Sequence, residues 1–363
     1  MWHTHRAVWH LAIGLILLVA SAAYGASFPA VRGTGGAVAS SEAASTEAGL
    51  EMLRRGGNAV DSAVATALAL VVVHPEAGNL GGGGFAVLKM GDEIASLDFR
   101  ETAPARSTPD MYLDSAGKPK PEASVLGPLA AGVPGSPTGL WDLHQRYGKL
   151  PWPAVVEPAR RLAAEGFVVT SRLHESLKEK QSDLARFPES ATVWLPAGEP
   201  PPVGSVFLQP VLATTLERFA AVGPSALTEG AAAAAIERVS TRYGGILKAT
   251  DLAAYRAEWR PVVRFEAFGW SFAGMDQPSS GGIILGQTLE MLEDLRWQDH
   301  PRFGAERAHL LAEVWRRAFA DRFLMGDPST TRADWRRLLS EDWLDWRRST
   351  IVPDHATPSS DVV

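Results

Sequence analysis

The sequence contains no cysteine, and this absence excludes a whole class of chemistry. A chain without thiols forms no disulfides, no cysteine-ligated metal sites and no cysteine nucleophile. The nine histidines are scattered and none falls in an HExxH pattern, so we expect no metal site. A GxSxG elbow, which presents a serine nucleophile in many hydrolases, is also missing. The sequence therefore predicts neither a metal nor a cofactor.

Charge is not concentrated anywhere along the chain. There are 35 Lys and Arg residues against 41 Asp and Glu, for a formal net charge of −6. Because no basic run is present, we expect no nucleic-acid partner. The 363 residues, 46% of them hydrophobic, are enough for a large core. Neither a proline- or serine-rich linker nor a repeat divides the chain.

The N-terminus has the pattern of a secretory signal peptide, which we assign to residues 1–26. A weakly basic start is followed by a short apolar run and then by small residues. The alternative is an uncleaved membrane anchor, but the run is short for a bilayer that needs roughly 20 apolar residues. We therefore expect a periplasmic or secreted protein with no stable membrane insertion after cleavage.

The segment 58–104 contains the most informative pattern. Asn58 is placed to cap an apolar helix over residues 59–73, which Pro75 would end. After the glycine run GGGG, the strands FAVLKM and EIASLDF flank a Gly-Asp turn and predict a hairpin. Since both strands are apolar at almost every position, the pattern favours a sheet covered on both faces.

The rest of the chain is mostly helical in pattern. Strands are predicted at residues 28–39 and within 261–275, irregular structure at 107–139 and 187–210, and a disordered C-terminal tail at 351–363. Helices are predicted at residues 42–55, 139–147, 152–165, 172–180, 212–222, 226–242, 280–295, 305–324 and 332–348, with a short one starting at 250. Sheets enclosed between helical layers, an α+β fold, are the architecture that this order favours.

Several candidate sites have a simpler structural interpretation. The run Gly81–Gly84 resembles a phosphate cradle, but it follows a helix and precedes a strand, so tight packing is favoured. Ser279 and Ser280 resemble an oxyanion loop, yet they also fit an ordinary helix cap. We interpret His74, which precedes Pro75, as a structural histidine, and His309 likewise, since it lies in a helix with no obvious acidic partner.

Arg100 is the remaining candidate, and it follows a predicted strand in the motif FRETAP. A planar guanidinium held at the end of a rigid strand suits bidentate recognition of a small carboxylate. An arginine beside a glutamate is nevertheless common on protein surfaces and usually means little. The motifs around Arg100 decide between these interpretations.

The chain resembles the large subunit of the gamma-glutamyltransferases over residues 30–329. The resemblance rests on an ordered series of motifs: RGTGGAVASSEAASTEAGLEMLRRGGNAVDSAVATALAL, HPEAGNLGGGGFAVL, LDFRETAP, GVPGSPTGLW, YGKLPW, PSSGGI and AFADRFLMGDPS. A series of this length is far more specific than a lone glycine motif.

The resemblance implies a fold, an activity and a substrate contact. The family fold is a four-layer αββα sandwich of the N-terminal-nucleophile hydrolase type. In the family a precursor cleaves itself into two subunits, and the threonine freed at the start of the small subunit attacks the γ-glutamyl amide of glutathione. The glutamyl group then passes to water or to an amine. The arginine of the FRE motif, here Arg100, is implied to pair with the α-carboxylate of the glutamyl group.

The resemblance also implies that the catalytic groups lie outside this sequence. No Thr-Thr-His motif is present, and Thr330-Thr331 is followed by Arg332. We therefore expect residues 27–350 to form the large-subunit domain, with no catalytic residue of their own and a small subunit as heterodimer partner. Two alternatives stay open: a subunit of a glutaryl or cephalosporin acylase on the same fold, and a truncated remnant without catalytic activity.

Overall fold

The computed structural model describes residues 32–331 and 334–362 of the chain. It divides into one unit of residues 1–37 and a second of residues 38–363. The predicted signal peptide, 1–26, lies outside the described residues. The strand predicted at 28–39 is wrong over its described part, because residues 32–39 form neither helix nor strand. Three glycines within 33–36 explain this, since glycine weakens a strand.

Helices are the main regular structure of the described part of the second unit. They are α1 Ala43–Arg54, α2 Ala59–Val73, α3 Ser136–Tyr147, α4 Trp152–Glu165, α5 Ser171–Glu179, α6 Gln181–Ala185, α7 Pro188–Trp194, α8 Pro210–Val222, α9 Ser225–Thr228, α10 Gly230–Arg242, α11 Ala249–Ala254, α12 Gly281–Asp294, α13 Ala305–Asp321 and α14 Glu341–Ser349. The predictions for α2, α4 and α8 agree with these bounds to within about two residues.

The start of α2 shows how the sequence determines local structure here. The Asn58 side chain accepts from the backbone N–H of Asp61 at 3.0 Å, and the Asp61 carboxylate accepts from the Asn58 N–H at 2.8 Å. The cap predicted at Asn58 is confirmed, and the structure shows that it is one half of a capping box with Asp61. Asp61 is fully buried and also accepts from the N–H groups of Lys149 and Leu150. One carboxylate therefore fixes both the start of α2 and the turn between α3 and α4.

The strands form small antiparallel sheets. They are β1 Phe85–Met90, β2 Glu93–Asp98, β3 Phe167–Val168, β4 Val206–Phe207, β5 Glu258–Arg260, β6 Val262–Ala267 and β7 Trp270–Met275. The order β1-β2-β5 makes one sheet, and β3-β4 and β6-β7 make two others. The hairpin predicted around Gly91-Asp92 is confirmed, and the strands predicted within 261–275 form a second hairpin around Phe268-Gly269.

The prediction that the first hairpin is covered on both faces is wrong for β1. Val87 and Lys89 are exposed, and Val87 is 43% exposed. Ala86, Leu88 and Met90 alternate with them and pack on the main hydrophobic core. Strand β1 therefore has one covered face, since alternate side chains point to opposite faces of a strand and only one set packs on the core.

The main core lies where α2, α4 and α8 pack on one another, and it includes apolar residues of β1 and β2. Trp152 of α4 anchors it, since its indole N–H donates to the carbonyl of Phe219 at 2.9 Å. Its ring meets those of Trp141 and Phe219 edge to face, each with centroids 5.1 Å apart. This geometry satisfies the one polar atom of the ring and fills the space between helices.

A second packed region surrounds α12, between α13, α14 and the hairpin β6-β7. Two buried ion pairs of this region involve residues of α13. Arg317, 1% exposed, binds Glu313 at 2.7 Å, and Arg347 pairs with the fully buried Asp321. The helix predicted at 332–348 as an outer element is instead a 3₁₀ turn, Trp335–Leu339, followed by α14, and α14 buries Leu344 and Arg347.

Three further predictions need correction. The helix predicted at 226–242 is broken between α9 and α10, where Gly230 adopts a φ of 61° that interrupts a right-handed helix. The segment 187–210 contains α7 and β4 as well as irregular structure. The expected disordered tail, 351–363, makes specific contacts over its described part, because Thr357 bonds to Glu313 through both its N–H and its hydroxyl.

Candidate active site

Arg100 lies just beyond the end of a β-ladder. Phe99 makes the last paired bonds, with Gly84, at 3.0 and 3.2 Å. Beyond it, the N–H of Arg100 donates to the Asp98 carboxylate at 3.0 Å, and the carbonyl of Arg100 accepts from the Tyr255 hydroxyl at 2.8 Å. The backbone of Arg100 is thus held by side chains, while its guanidinium projects from an exposed residue.

The glycine run beside Arg100 serves close packing, as the sequence favoured. A Cβ on Gly83 would lie 2.5 Å from the Phe99 carbonyl oxygen and 2.7 Å from the N–H nitrogen of Glu101. The carbonyl of Gly82 accepts from the N–H groups of Gly135 and Ser136. The GGGG and GVPGSP loops therefore meet at the strand end with no room for side chains.

A cleft of about 460 Å³ opens at Arg100, a size that suits a small-molecule ligand. Its walls come from β2, from the segment after α11, and from the turn after α13. Its lining residues are Asp98, Arg100, Glu101, Thr102, Tyr255, Arg256, Glu258, Arg260, Pro278, Gly326, Asp327, Pro328 and Ser329.

The three arginines of the cleft differ in what they bind. Arg260 is paired with Asp98 at 2.7 Å and Glu258 at 2.9 Å. Arg256 donates to two backbone carbonyls, those of residues 253 and 255. The Arg100 guanidinium has no hydrogen-bond or ion-pair partner among residues 32–331 and 334–362. It is therefore the cleft cation that a ligand anion can reach without displacing a protein partner.

The opposite wall of the cleft is acidic and ordered. Asp327 accepts from both the N–H and the hydroxyl of Ser329, at 2.8 and 2.5 Å. These bonds, with the nearby charge of Arg260, lower the pKa of Asp327. Across the cleft, burial raises the pKa of the Tyr255 phenol, reinforced by the charge of Asp98. The cleft thus combines a free guanidinium with several carboxylates, an arrangement complementary to a zwitterion.

The other sequence candidates have structural roles. Buried His74 lies between Glu76 and Arg172, and His309 donates from Nε2 to the Val352 carbonyl at 2.8 Å. The helix-cap interpretation of Ser279 and Ser280 is confirmed in part: the Ser279 hydroxyl accepts from the N–H of residue 281 at 3.1 Å, whereas Ser280 occupies the N-cap position without a capping bond.

Sequence reasoning found Arg100 but missed the residues that surround it. Tyr255 and Arg260 lie more than 150 residues from Arg100 and Asp98 in sequence. The motif AFADRFLMGDPS contains Asp327. Its sequence supports the family resemblance but does not predict that it forms a wall of the cleft. Nothing in the local pattern indicates such contacts.

Two absences hold for the part of the chain that the structure describes. No group of three or more His, Cys, Asp or Glu side chains there is arranged to hold a metal ion. No helix there is both long and apolar enough to cross a bilayer.

Comparison with known proteins identifies the fold and the family. The solved structure of Helicobacter pylori gamma-glutamyltranspeptidase superposes with a TM-score of 0.89 at 36% identity, covering 92% of this chain and 96% of that one. The α+β fold is therefore the predicted αββα sandwich of N-terminal-nucleophile hydrolases. The family model for gamma-glutamyltranspeptidase matches residues 45–363. The chain belongs to the gamma-glutamyltranspeptidase family.

Curated relatives extend beyond the matched region. The glutathione hydrolase proenzyme of Escherichia coli K12 is 37% identical over 338 residues, which is 92% of this chain and 58% of the relative. The acylase ACY 1 proenzyme of Pseudomonas sp. strain V22 is 35% identical over 332 residues, 89% of this chain and 60% of the relative. The chain thus spans about three fifths of the length of these relatives.

Proposed function

We propose that this chain forms the substrate-binding half of a gamma-glutamyltransferase that acts on glutathione or a similar γ-glutamyl compound. The observation that carries the proposal is Arg100, a cation without a protein partner among the described residues, in a cleft that also contains carboxylates. The guanidinium would pair with the α-carboxylate of the glutamyl group. Glu101, in the same cleft, is placed to complement the α-ammonium.

In this proposal the chain binds and orients, and a second segment performs the chemistry. The threonine nucleophile belongs to the part of the family proenzyme that corresponds to the small subunit, which would join residues 27–350 as a heterodimer. Its hydroxyl attacks the γ-carbonyl, the amine leaves, and water or an acceptor amine discharges the glutamyl-enzyme. The proposed location is the periplasm or the exterior, reached through a signal peptide at 1–26.

The test is substitution of Arg100 in the assembled enzyme. Arg100→Ala removes a charge-assisted contact that contributes on the order of 1.5–3 kcal/mol, so KM for a γ-glutamyl anilide should rise between about tenfold and a hundredfold. Arg100→Lys keeps the charge but loses the planar fork, so an intermediate KM is expected. A KM equal to that of the wild type in both variants would remove Arg100 from the substrate site.

A second candidate function is a glutaryl acylase, which the similarity to the acylase ACY 1 proenzyme favours. A glutaryl group lacks the α-amine of a glutamyl group but keeps the carboxylate. Both substrates would therefore use Arg100, and they differ in what faces the amine. Measuring kcat/KM for matched γ-glutamyl and glutaryl anilides decides between them, since a transferase should prefer the glutamyl compound and an acylase the glutaryl compound.

A further inference from the structure

Arg100 depends on two side chains for its backbone position. Its neighbour Phe99 is the last residue paired in the ladder. The N–H of Arg100 then bonds to Asp98, and its carbonyl bonds to the Tyr255 hydroxyl. These two bonds, rather than the sheet, determine where the peptide planes on either side of Arg100 lie, and so where its side chain begins.

The Tyr255 hydroxyl is itself tightly confined. Tyr255 is 6% exposed and packs with Val133 and Leu252 in a small hydrophobic cluster. A Cβ on Gly135 would lie 2.4 Å from its hydroxyl oxygen, so backbone closes the space around that atom. Burial raises the pKa of the phenol, which keeps the hydroxyl protonated and able to donate to the Arg100 carbonyl.

The bond from the Arg100 N–H to Asp98 also depends on the segment of chain that contains Tyr255. The carboxylate of Asp98 that accepts from Arg100 also accepts from Arg260 at 2.7 Å. Both supports of Arg100 therefore connect to residues 255–260, which comprise the link after α11 and strand β5 itself. This short segment lies beside the end of β2, more than 150 residues earlier in sequence.

We propose that Tyr255 is a positioning residue that holds the Arg100 guanidinium in the geometry for binding a substrate carboxylate, an inference that rests on the proposed function. Without the hydroxyl, the Arg100 carbonyl loses its side-chain restraint, and more of the ordering of the guanidinium must occur when the substrate binds. Ordering at the moment of binding weakens affinity. The contact is remote from the bond that is cleaved, so the effect should fall on KM rather than on kcat.

The test is Tyr255→Phe in the assembled enzyme, because this change removes one oxygen and keeps the buried ring. KM for a γ-glutamyl anilide should rise about fivefold, the effect of one lost hydrogen bond, with kcat within about twofold of the wild type. Tyr112→Phe is the matched control. Its hydroxyl also donates to a backbone carbonyl, that of Leu129 at 2.9 Å. Because Tyr112 does not line the cleft at Arg100, Tyr112→Phe should leave KM unchanged.

A double-mutant cycle with Arg100→Ala separates positioning from a general structural effect. If Tyr255 acts through Arg100, Tyr255→Phe should change KM by less than about twofold in the Arg100→Ala background. An equal rise in KM in both backgrounds, or a wild-type KM in Tyr255→Phe alone, would overturn the positioning role while leaving the proposed function intact. A wild-type KM in Arg100→Ala would instead overturn the proposed function and this inference with it.

Discussion

Arg100 in the cleft and Arg317 on α13 are the same side chain in opposite surroundings. Arg317 is 1% exposed, and it donates to the carboxylate of Glu313, to the hydroxyl and carbonyl of Thr350 and to the hydroxyl of Thr357. Arg100 is exposed, and among the residues described its guanidinium has no protein acceptor. Protein acceptors therefore occupy the hydrogen-bond donors of Arg317, whereas the donors of Arg100 are available to a ligand.

The difference separates two uses of charge in one chain. A buried guanidinium is tolerated only when its hydrogen bonds are satisfied, so the Arg317 cluster is complete and belongs to the stability of the α12–α14 region. A guanidinium whose backbone is held while its donors are unoccupied is typical of a binding site. The comparison predicts that the two arginines affect different measurements, stability in one case and ligand affinity in the other.

The largest expected effect comes from removing the buried arginine. Arg317→Ala removes the fully buried ion-pair partner of Glu313, which keeps only Thr357 and the partly exposed Arg316, so the free energy of unfolding should fall by about 3–5 kcal/mol. Urea titration followed by circular dichroism measures this loss. Arg100→Ala should leave the unfolding midpoint unchanged, and Arg54→Ala, on an exposed pair with Glu47, should cost less than about 1 kcal/mol. If Arg100→Ala destabilises as much as Arg317→Ala, the contrast between the two regions is wrong.

The next effect is a loss of stability in acid. Burial alone would raise the pKa of Glu313, but hydrogen bonds from Thr357 and Arg317 outweigh it and lower the pKa to about 2. Because the unfolded chain has a pKa near ~4.3, this stabilisation is complete above that value and is lost as pH falls through about 2. It should amount to roughly 3 kcal/mol at neutral pH.

Urea midpoints measured between neutral pH and acid test this dependence. Glu313→Gln is the control, since it cannot titrate: its stability at neutral pH should be lower, and its acid slope shallower than that of the wild type. Parallel slopes for the two proteins would assign the acid sensitivity to other carboxylates.

The third prediction concerns the glycine packing that supports the cleft. Gly83→Ala would force the new Cβ against backbone atoms of residues 99–101, at a cost of about 1–3 kcal/mol, and should displace Arg100. We expect a lower thermal midpoint together with a raised KM. Gly81→Ala is the matched control, because its Cβ would meet its nearest neighbour, an oxygen of Asn79, at an ordinary 3.5 Å. Equal behaviour of the two variants would contradict the packing role.

The smallest expected effect on stability comes from the carboxyl group of Glu290 on α12. Burial, with the charge of Asp294, raises the pKa of Glu290 to about 7. Since its folded pKa lies above the unfolded value, the protein should lose stability as pH rises through about 7. Glu290→Gln should therefore stabilise the protein at pH ~8 by about 1 kcal/mol, discounted for partial exposure, and have little effect in mild acid. Thermal melts at both pH values measure it, and a destabilised variant at the higher pH would refute it.

Local patterns were sufficient where the determining contacts are local. The Asn58 capping box joins residues three apart, and the hairpin around Gly91-Asp92 needs only its own two strands. The position of Arg100 at a strand end was predictable for the same reason. The resemblance to a family then supplied the carboxylate contact, which no local pattern indicates.

The rest depends on contacts between distant parts of the chain. Tyr255 meets Arg100 across 155 residues, and Arg260 meets Asp98 across 162. The helix predicted at 332–348 is expected to pack on the outside, yet Arg347 is buried against Asp321. A charged residue is predicted to be exposed unless its partner is known, and that partner was on another helix.

The last described residues of the chain are tied back to α13 by several separate bonds. Thr357 bonds to Glu313 across 44 residues and accepts from Arg317, and the Val352 carbonyl accepts from His309. Since two of the Thr357 bonds end on the one carboxylate of Glu313, a protease should cut within residues 351–362 sooner in Glu313→Ala than in the wild type.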